Sequence, residues 1–380
     1  EEAMNFTFNN PVNILFGSGK INLVGEECKK FGKNALIVTG ANSTKKSGLL
    51  QKVQDLLAKE NITSFVADNI PQNPTTDAVM LAAKLARENN CDMVIGLGGG
   101  SSLDAAKAIA FMAKHEGHVS EYILAKRTTN GACLPVIAVP TTCGTGSEAD
   151  CFAVLNDTAT NDKRTLRQMI TLPQVSIVDP DLMRSMPESV LRSVMFDAFC
   201  HNLEGYISRH ASPVSEMFSL KGVELFAENM PKLLNDLNDK AAWDAICLAS
   251  TFGGFSLQSA GCIAVHGIEH PVSGLRNVIH GKGLAAVIIP VLEQTIACCP
   301  KRFAVLSKIL GGNNENDFLE QVEKIRNMLG LNDRLQDLGV LEHDLPWLAK
   351  NALEVSKTLL SNHPLSYTEQ EILAMYKKAF

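Results

Sequence analysis

Five residues have the types and spacings that chemistry needs: Asp197, His201, His266, His270 and His280. They lie in Asp197-Ala-Phe-Cys-His201 and in His266-Gly-Ile-Glu-His270-Pro-Val-Ser-Gly-Leu-Arg-Asn-Val-Ile-His280-Gly281. Asp197 and His201 are four apart, as are His266 and His270, so each pair projects from one face of a helix. His280 stands before Gly281, at a break. One carboxylate with several imidazoles is a donor set for a divalent transition metal, hard enough for iron and suitable for zinc. Such an ion points to Lewis-acid chemistry on an oxygen of a small substrate. His115, His118, His210, His343 and His363 lack this context and are expected to face solvent.

Two glycine- and hydroxyl-rich turns are the other candidates. In Asp92-Met-Val-Ile-Gly-Leu-Gly98-Gly99-Gly100-Ser101-Ser102, a strand ends at a triple glycine and a helix is expected from Ser102 to about Lys114. Glycines let a backbone approach a pyrophosphate, and a helix start aims N–H groups at the same anion. The same letters also describe a plain tight turn. They match neither GxGxxG nor the Walker pattern. Val139-Pro140-Thr141-Thr142-Cys143-Gly144-Thr145-Gly146-Ser147-Glu148 follows another strand. Its hydroxyls suit phosphate, ribose or a nicotinamide amide, or simply helix capping.

The elements that must carry these groups change character along the chain. Strands are expected at Asn5 to Phe8, Asn13 to Phe16, Ala35 to Thr39, Ile62 to Ala67, Met93 to Leu97 and Pro135 to Val139. Helices are expected at Leu49 to Glu60 and at Thr75 to Asn89, with Gly40 to Gly48 a polar loop. Alternation of this kind predicts an open parallel sheet with helices on both faces, the α/β class, where ligands bind at strand ends. Beyond about Pro187 strand signals vanish. Glu188 to Ser208, Val214 to Leu237, Ala241 to Ala260, Gly283 to Ala297 and Trp347 to Lys357 read as helices. The expected division is an α/β dinucleotide-binding domain over 4–180 and an all-α, metal-binding catalytic domain over 181–380, broken near Asp179-Pro180.

Composition sets outer limits. At 380 residues, about two domains are expected. The net charge of −6 gives no basic face for nucleic acid or an anionic membrane. No apolar run reaches about 18 residues, and no basic segment followed by an apolar stretch opens the chain. The ten cysteines form no CxxC pair, and read as reduced, mostly buried thiols of a cytoplasmic protein. Glu1 to Ala3 precede Met4 and are read from position alone as an added remnant.

Taken as stretches, GGGSSLDAAK, PTTCGTGSEAD, DAFCHNLEGYIS and HGIEHP…HGKG resemble the signatures of the iron-dependent (group III) alcohol dehydrogenases. The resemblance runs from about Phe6 to the C-terminus. It implies an active site in the cleft between a dinucleotide-binding and a helical domain. By matching positions, Asp197, His201, His266 and His280 would be the metal ligands, with Fe(II) expected and Zn(II) the alternative. His270 would be the catalytic residue beside the metal, near nicotinamide and substrate. Gly99, Gly100 and Ser101 would hold the pyrophosphate of NAD or NADP, and Thr141, Thr142 and Thr145, with Ser147 and Val154, would line the cofactor site. Lys163, ten residues before Pro173, matches a cofactor-binding lysine.

The sequence also departs from that pattern. Members that use NAD often carry an Asp after the first long strand, where it binds the adenosine ribose; here the cofactor-facing position is Gly40. Ser43, Lys45 and Lys46 follow and offer donors and charge to a 2′-phosphate, so NADPH is expected to be accepted and preferred. Cys143 replaces a usual alanine, and Leu257 takes a place often held by phenylalanine.

The activity this implies is reversible hydride transfer between nicotinamide and a small primary alcohol or aldehyde. The alternatives are a glycerol dehydrogenase-like polyol oxidoreductase, a dehydroquinate synthase-like lyase, or a nucleotide- or metal-binding protein without turnover. The family suggests a homodimer.

Overall fold

Short apolar runs such as Ala-Leu-Ile-Val at 35–38 and Met-Val-Ile at 93–95 have no polar alternation, so they are stable only where both faces are covered. The protein was described from a computed structural model covering residues 4–380; the reading of Glu1 to Ala3 lies outside the described residues. Packing divides the chain into two compact units: Val12–Leu191, and Arg192–Phe380 together with the N-terminal segment ending at Pro11. Asp179, where the sequence suggests a break, caps the short Pro180–Met183 helix by accepting from Asp181 N–H.

In the first unit, β1 (Asn13–Phe16), β2 (Asn34–Val38), β3 (Thr63–Ala67), β4 (Met93–Gly98), β5 (Val136–Pro140) and β8 (Val175–Val178) form a parallel sheet in the order β1-β8-β5-β4-β2-β3. Chain order therefore reverses between β2 and β4. Ligands of open α/β sheets bind beyond the carboxyl ends of strands at such a switch point. Gly40 follows β2 and Gly99 follows β4, and the register Val38↔Gly96 brings these two ends side by side. The apolar side chains of β2 and β4 point alternately into two cores, Leu36 and Val94 into one, Ile37 and Ile95 into the other. The α/β expectation holds.

Three local expectations give way. Asn5 to Phe8 forms no strand; Phe6 and Phe8 stay partly exposed. Alternation without a neighbouring ladder does not make a strand, since the backbone groups need partners. The polar stretch Gly40 to Gly48 contains a helical turn, Ser43–Lys46, held by the Thr39–Thr44 hydroxyl pair at 2.7 Å. The triple-glycine helix begins at Gly100 rather than Ser102 and runs to Met112, with Gly99 as N-cap.

An antiparallel hairpin, β6 (Phe152–Asp157) and β7 (Asp162–Arg167), stands apart from the main sheet.

The second unit is helical among its described residues. The helices that carry the candidate ligands are Glu188–Ile207, Ala264–Arg276 and His280–Leu292. Lys240–Ala260 packs closely on Pro213–Asn235. No single described helix is long and apolar enough to cross a membrane.

Two histidines expected at the surface are buried instead. His115 stacks on Phe111 at 3.8 Å and bonds the Phe111 carbonyl at 2.8 Å. His363 is fully buried, with Nε2 at 3.0 Å from Thr295 Oγ1 and 2.9 Å from Tyr367 OH. His118 is half-buried and caps the Val119–Ile123 helix. His210 and His343 are exposed as expected.

Candidate metal centre and nucleotide-binding turns

Asp197 sits mid-helix in Glu188–Ile207, and its Oδ1 is the point on which three imidazoles converge. His201 Nε2 lies 3.3 Å from it, His266 Nε2 3.3 Å and His280 Nε2 3.6 Å. The edge of a tetrahedron with bonds of about 2.1 Å is about 3.4 Å. These separations thus suit a first-row divalent ion shared by the four donors, and the N,O donor set suits iron or zinc. Asp197, His201 and His266 are each at least nine-tenths buried. Burial works against a charge on Asp197, but His201, His280 and His266 outweigh it and hold the carboxyl well below the usual carboxylate range. Burial lowers His201 below the ordinary imidazole value. These directions favour deprotonated Asp197 and His201. At His266, by contrast, burial is outweighed by the neighbouring Cys262 and Glu204, which push the imidazole up, so that a metal binding there displaces a proton.

Two carboxylates stand behind the imidazoles. Glu204 lies one turn after Cys200 on the same helix. Its Oε2 accepts from His266 Nδ1, and its Oε1 accepts the backbone N–H of Ile263 and of His266, each at 3.1 Å. One buried carboxylate therefore caps the Ala264–Arg276 helix and fixes the tautomer that leaves His266 Nε2 a lone pair. Glu269 stands behind His280 as a charge neighbour, with Oε2 2.6 Å from His280 Nδ1 but without hydrogen-bond geometry, and its Oε1 accepts from the Ser273 hydroxyl. Glu269 is fully buried. A Cβ at Gly283 would stand 2.7 Å from Glu269 Oε1, so the glycine makes the room. The His201 and His266 rings stack at 4.6 Å. His270, on the helix face of His266, lies 6.0 Å from that ring and 5.9 Å from His280. All five residues singled out in the sequence are thus gathered at one place. Glu204, Glu269 and Cys262 were missed. Glu204 had one usable signal, its place three residues after His201 on the same helix.

In the first unit the glycine turn is built for close approach. Gly100 backs onto Thr145: a Cβ there would stand 2.2 Å from Thr145 Cγ2. One at Gly99 would meet Thr142 Cγ2 at 3.2 Å. The two hydroxyl-bearing threonines therefore lie against the first turn of the Gly100–Met112 helix, whose leading N–H groups have no partner within the helix. Thr141 N–H donates to Gly98 O at 2.8 Å, tying the second turn to the first. Gly99, Gly100, Thr141, Thr142 and Thr145 form one cradle that suits a pyrophosphate. Ser101 flanks it, with its hydroxyl donated to the Gln72 carbonyl.

Other candidates lie elsewhere in that unit. Ser147 is buried, accepts from Lys107 Nζ at 2.8 Å and donates to Asp104 Oδ1 at 2.5 Å. Its hydroxyl is thus engaged within the protein. Lys107 is fully buried and pairs with Asp150 at 2.8 Å; burial pushes the Asp104 carboxyl up to about 6. Val154 N–H donates to Asp104 Oδ2 at 3.0 Å. This ionic knot ties the glycine-turn helix to the Thr145 loop and to β6. Val154 and Lys163 occupy β6 and β7, and Lys163 Nζ lies 3.4 Å from Asn73 Oδ1. Gly40 has only Ile70 O near its Cβ position, at 3.7 Å. Lys45 is paired with Asp68, which follows β3, and both are about half exposed. Lys46 is exposed.

Comparison with known proteins follows the same division. Residues 11–180 match the family model of iron-containing alcohol dehydrogenase, and residues 192–380 match that of the C-terminal part of the Fe-containing alcohol dehydrogenase family. The chain is 31% identical over 376 residues to the 1,3-propanediol dehydrogenase of Klebsiella pneumoniae, with 96% of each chain covered. It is 32% identical over 374 residues to long-chain-alcohol dehydrogenase 1 of Geobacillus thermodenitrificans, covering 96% of this chain and 94% of that one. Among solved structures, an archaeal halo-thermophilic alcohol dehydrogenase from a Red Sea brine pool aligns with a TM-score of 0.96 at 28% identity, 100% of each chain being covered.

Proposed function

The chain belongs to the iron-containing alcohol dehydrogenase family, and we propose that it interconverts small primary alcohols and aldehydes with a nicotinamide cofactor. The observation that carries this is the convergence of three imidazole Nε2 atoms on Asp197 Oδ1. The Asp197, His201, His266 and His280 donors hold Fe(II), with Zn(II) as the other ion that the set accepts. When bound, the metal supplies Lewis acidity at a substrate oxygen, and the nicotinamide supplies or accepts hydride. The protein does the rest. Glu204 engages His266 Nδ1, so that His266 Nε2 faces the centre, and Glu269 places a buried negative charge behind the His280 ring. Burial excludes bulk water. His270 passes the alcohol proton outward through its imidazole.

On the nucleotide side, Gly99, Gly100 and Ser101 bind pyrophosphate through backbone N–H groups. Thr141, Thr142 and Thr145 orient the remainder, and Lys163 contributes its charge. NADPH is the preferred cofactor, because Gly40 offers no carboxylate to a 2′-phosphate. A cytoplasmic homodimer completes the reading.

The test is initial-rate turnover on a panel of aldehydes with NADH and NADPH, using metal-stripped protein and protein restored with Fe(II). Turnover should vanish on stripping and return with iron. Unchanged rates in protein shown by elemental analysis to lack metal would overturn the reading.

A further inference from the structure

His201 and His266 serve two donor groups. Beside the Asp197 group, their imidazoles and the Cys262 thiol form a second trio, all buried, whose ligating atoms lie within 4.8 Å of one another. The thiol is held in place by its backbone. Asn362 Nδ2 donates to Cys262 O at 2.9 Å, and the next N–H, of Ile263, is donated to Glu204. Gly261 ends the preceding helix at φ 75°, and a Cβ there would stand 2.6 Å from Asn362 Nδ2. Among the described residues, Cys262 is the cysteine that stands in such a group.

The two trios differ in softness. A carboxylate with imidazoles accepts iron and zinc alike, whereas a thiolate with two imidazoles favours zinc, and zinc already outranks Fe(II) at a given N/O/S site. The thiol gives up its proton as the ion binds. Because His201 and His266 are common to both groups, an ion drawn to Cys262 takes two ligands from the Asp197 set. We propose that His201, Cys262 and His266 form a thiolate site that captures zinc, or a similarly thiophilic divalent ion, at the expense of the iron arrangement. The inference rests on the metal reading only for its two histidines; the cysteine is its own.

X-ray absorption at the zinc edge of zinc-loaded wild-type protein tests it without any variant. A sulfur neighbour at about 2.3 Å is distinct from nitrogen and oxygen at about 2.0–2.2 Å. One sulfur is expected. Cys262→Ser should lose it and bind zinc at least tenfold more weakly, with Fe(II) affinity unmoved. A zinc shell of nitrogen and oxygen alone overturns the thiolate site and leaves the iron reading standing. A sulfur that persists in Cys262→Ser assigns the ligand to another thiol and also overturns it. Protein that binds neither zinc nor iron sinks both readings.

Discussion

Glu204 and His266 meet through side chain and backbone at once: the carboxylate takes the His266 imidazole on one oxygen and the His266 backbone N–H on the other. Orientation of a ligand and capping of the helix that bears it are thereby one interaction. Glu204→Gln keeps the shape and removes the charge. Metal affinity should fall about 10–100-fold, the usual cost of losing a partner behind a ligand, and the helix start should also lose stability. Metal titration beside thermal unfolding checks this. Undiminished affinity would show that His266 is held by packing alone.

The glycine turn makes a graded prediction. Gly100→Ala pushes a methyl into Thr145, whereas Gly99→Ala asks Thr142 to give by only a few tenths of an ångström. Cofactor binding, followed by fluorescence titration, should therefore weaken at least about tenfold in Gly100→Ala and less in Gly99→Ala. Adding Thr145→Ser to Gly100→Ala removes the Cγ2 atom in the way and should restore part of the loss. Equal, unaltered binding in both single variants would move the phosphate site elsewhere.

What could be read from the sequence was what is local. Ala35 to Val38 and Met93 to Leu97 are apolar on both faces, and only a covered sheet accommodates that. Asp197 and His201 declare themselves by helical spacing. Glu204 and His266 are 62 positions apart, and no periodicity joins them. The β7 strand, Asp-Lys-Arg-Thr-Leu-Arg, receives no element from the sequence: it has no apolar run, and its buried charge, Lys163, is accommodated by the tertiary partner Asn73. Asn5 to Phe8 fails in the opposite way, with a strand-like pattern and no ladder to join. His363 looks like a loop histidine before Pro364. Tyr367 lies only four residues on, but Thr295 and the Ala264 N–H that also receive its ring come from distant segments.

That burial has a pH consequence. Desolvation, with some help from Arg209, pushes His363 down to about 3 from an ordinary 6.5. A depressed folded value means that the unfolded chain takes up the proton first. Stability from this group is therefore complete above about 6.5 and is lost progressively as pH falls toward about 3. Between about pH 7 and about pH 4 the loss amounts to roughly 3 kcal/mol at most. His363→Gln has no proton to take up, so its denaturation midpoint should fall less over that interval than the wild type's. Parallel slopes would remove His363 from the acid sensitivity.

The last prediction concerns cofactor choice, and the Lys45–Asp68 pair sharpens it. Gly40 and Asp68 follow adjacent parallel strands, paired at Val38↔Ala67. The carboxylate absent after β2 thus has a neighbour after β3, already engaged by Lys45. Lys46 is exposed beside them. A charge-assisted contact to phosphate is worth roughly 1.5–3 kcal/mol, and less where water competes. The wild type should therefore favour NADPH by about tenfold in kcat/KM. Asp68→Asn releases Lys45 and should raise that ratio. Gly40→Asp supplies an acceptor for a 2′-hydroxyl and repels a 2′-phosphate, and should reverse it. The measurement is kcat/KM for both cofactors across the three proteins. A wild type that favours NADH tenfold, or a ratio that neither substitution moves, would show that this loop does not read the 2′-phosphate.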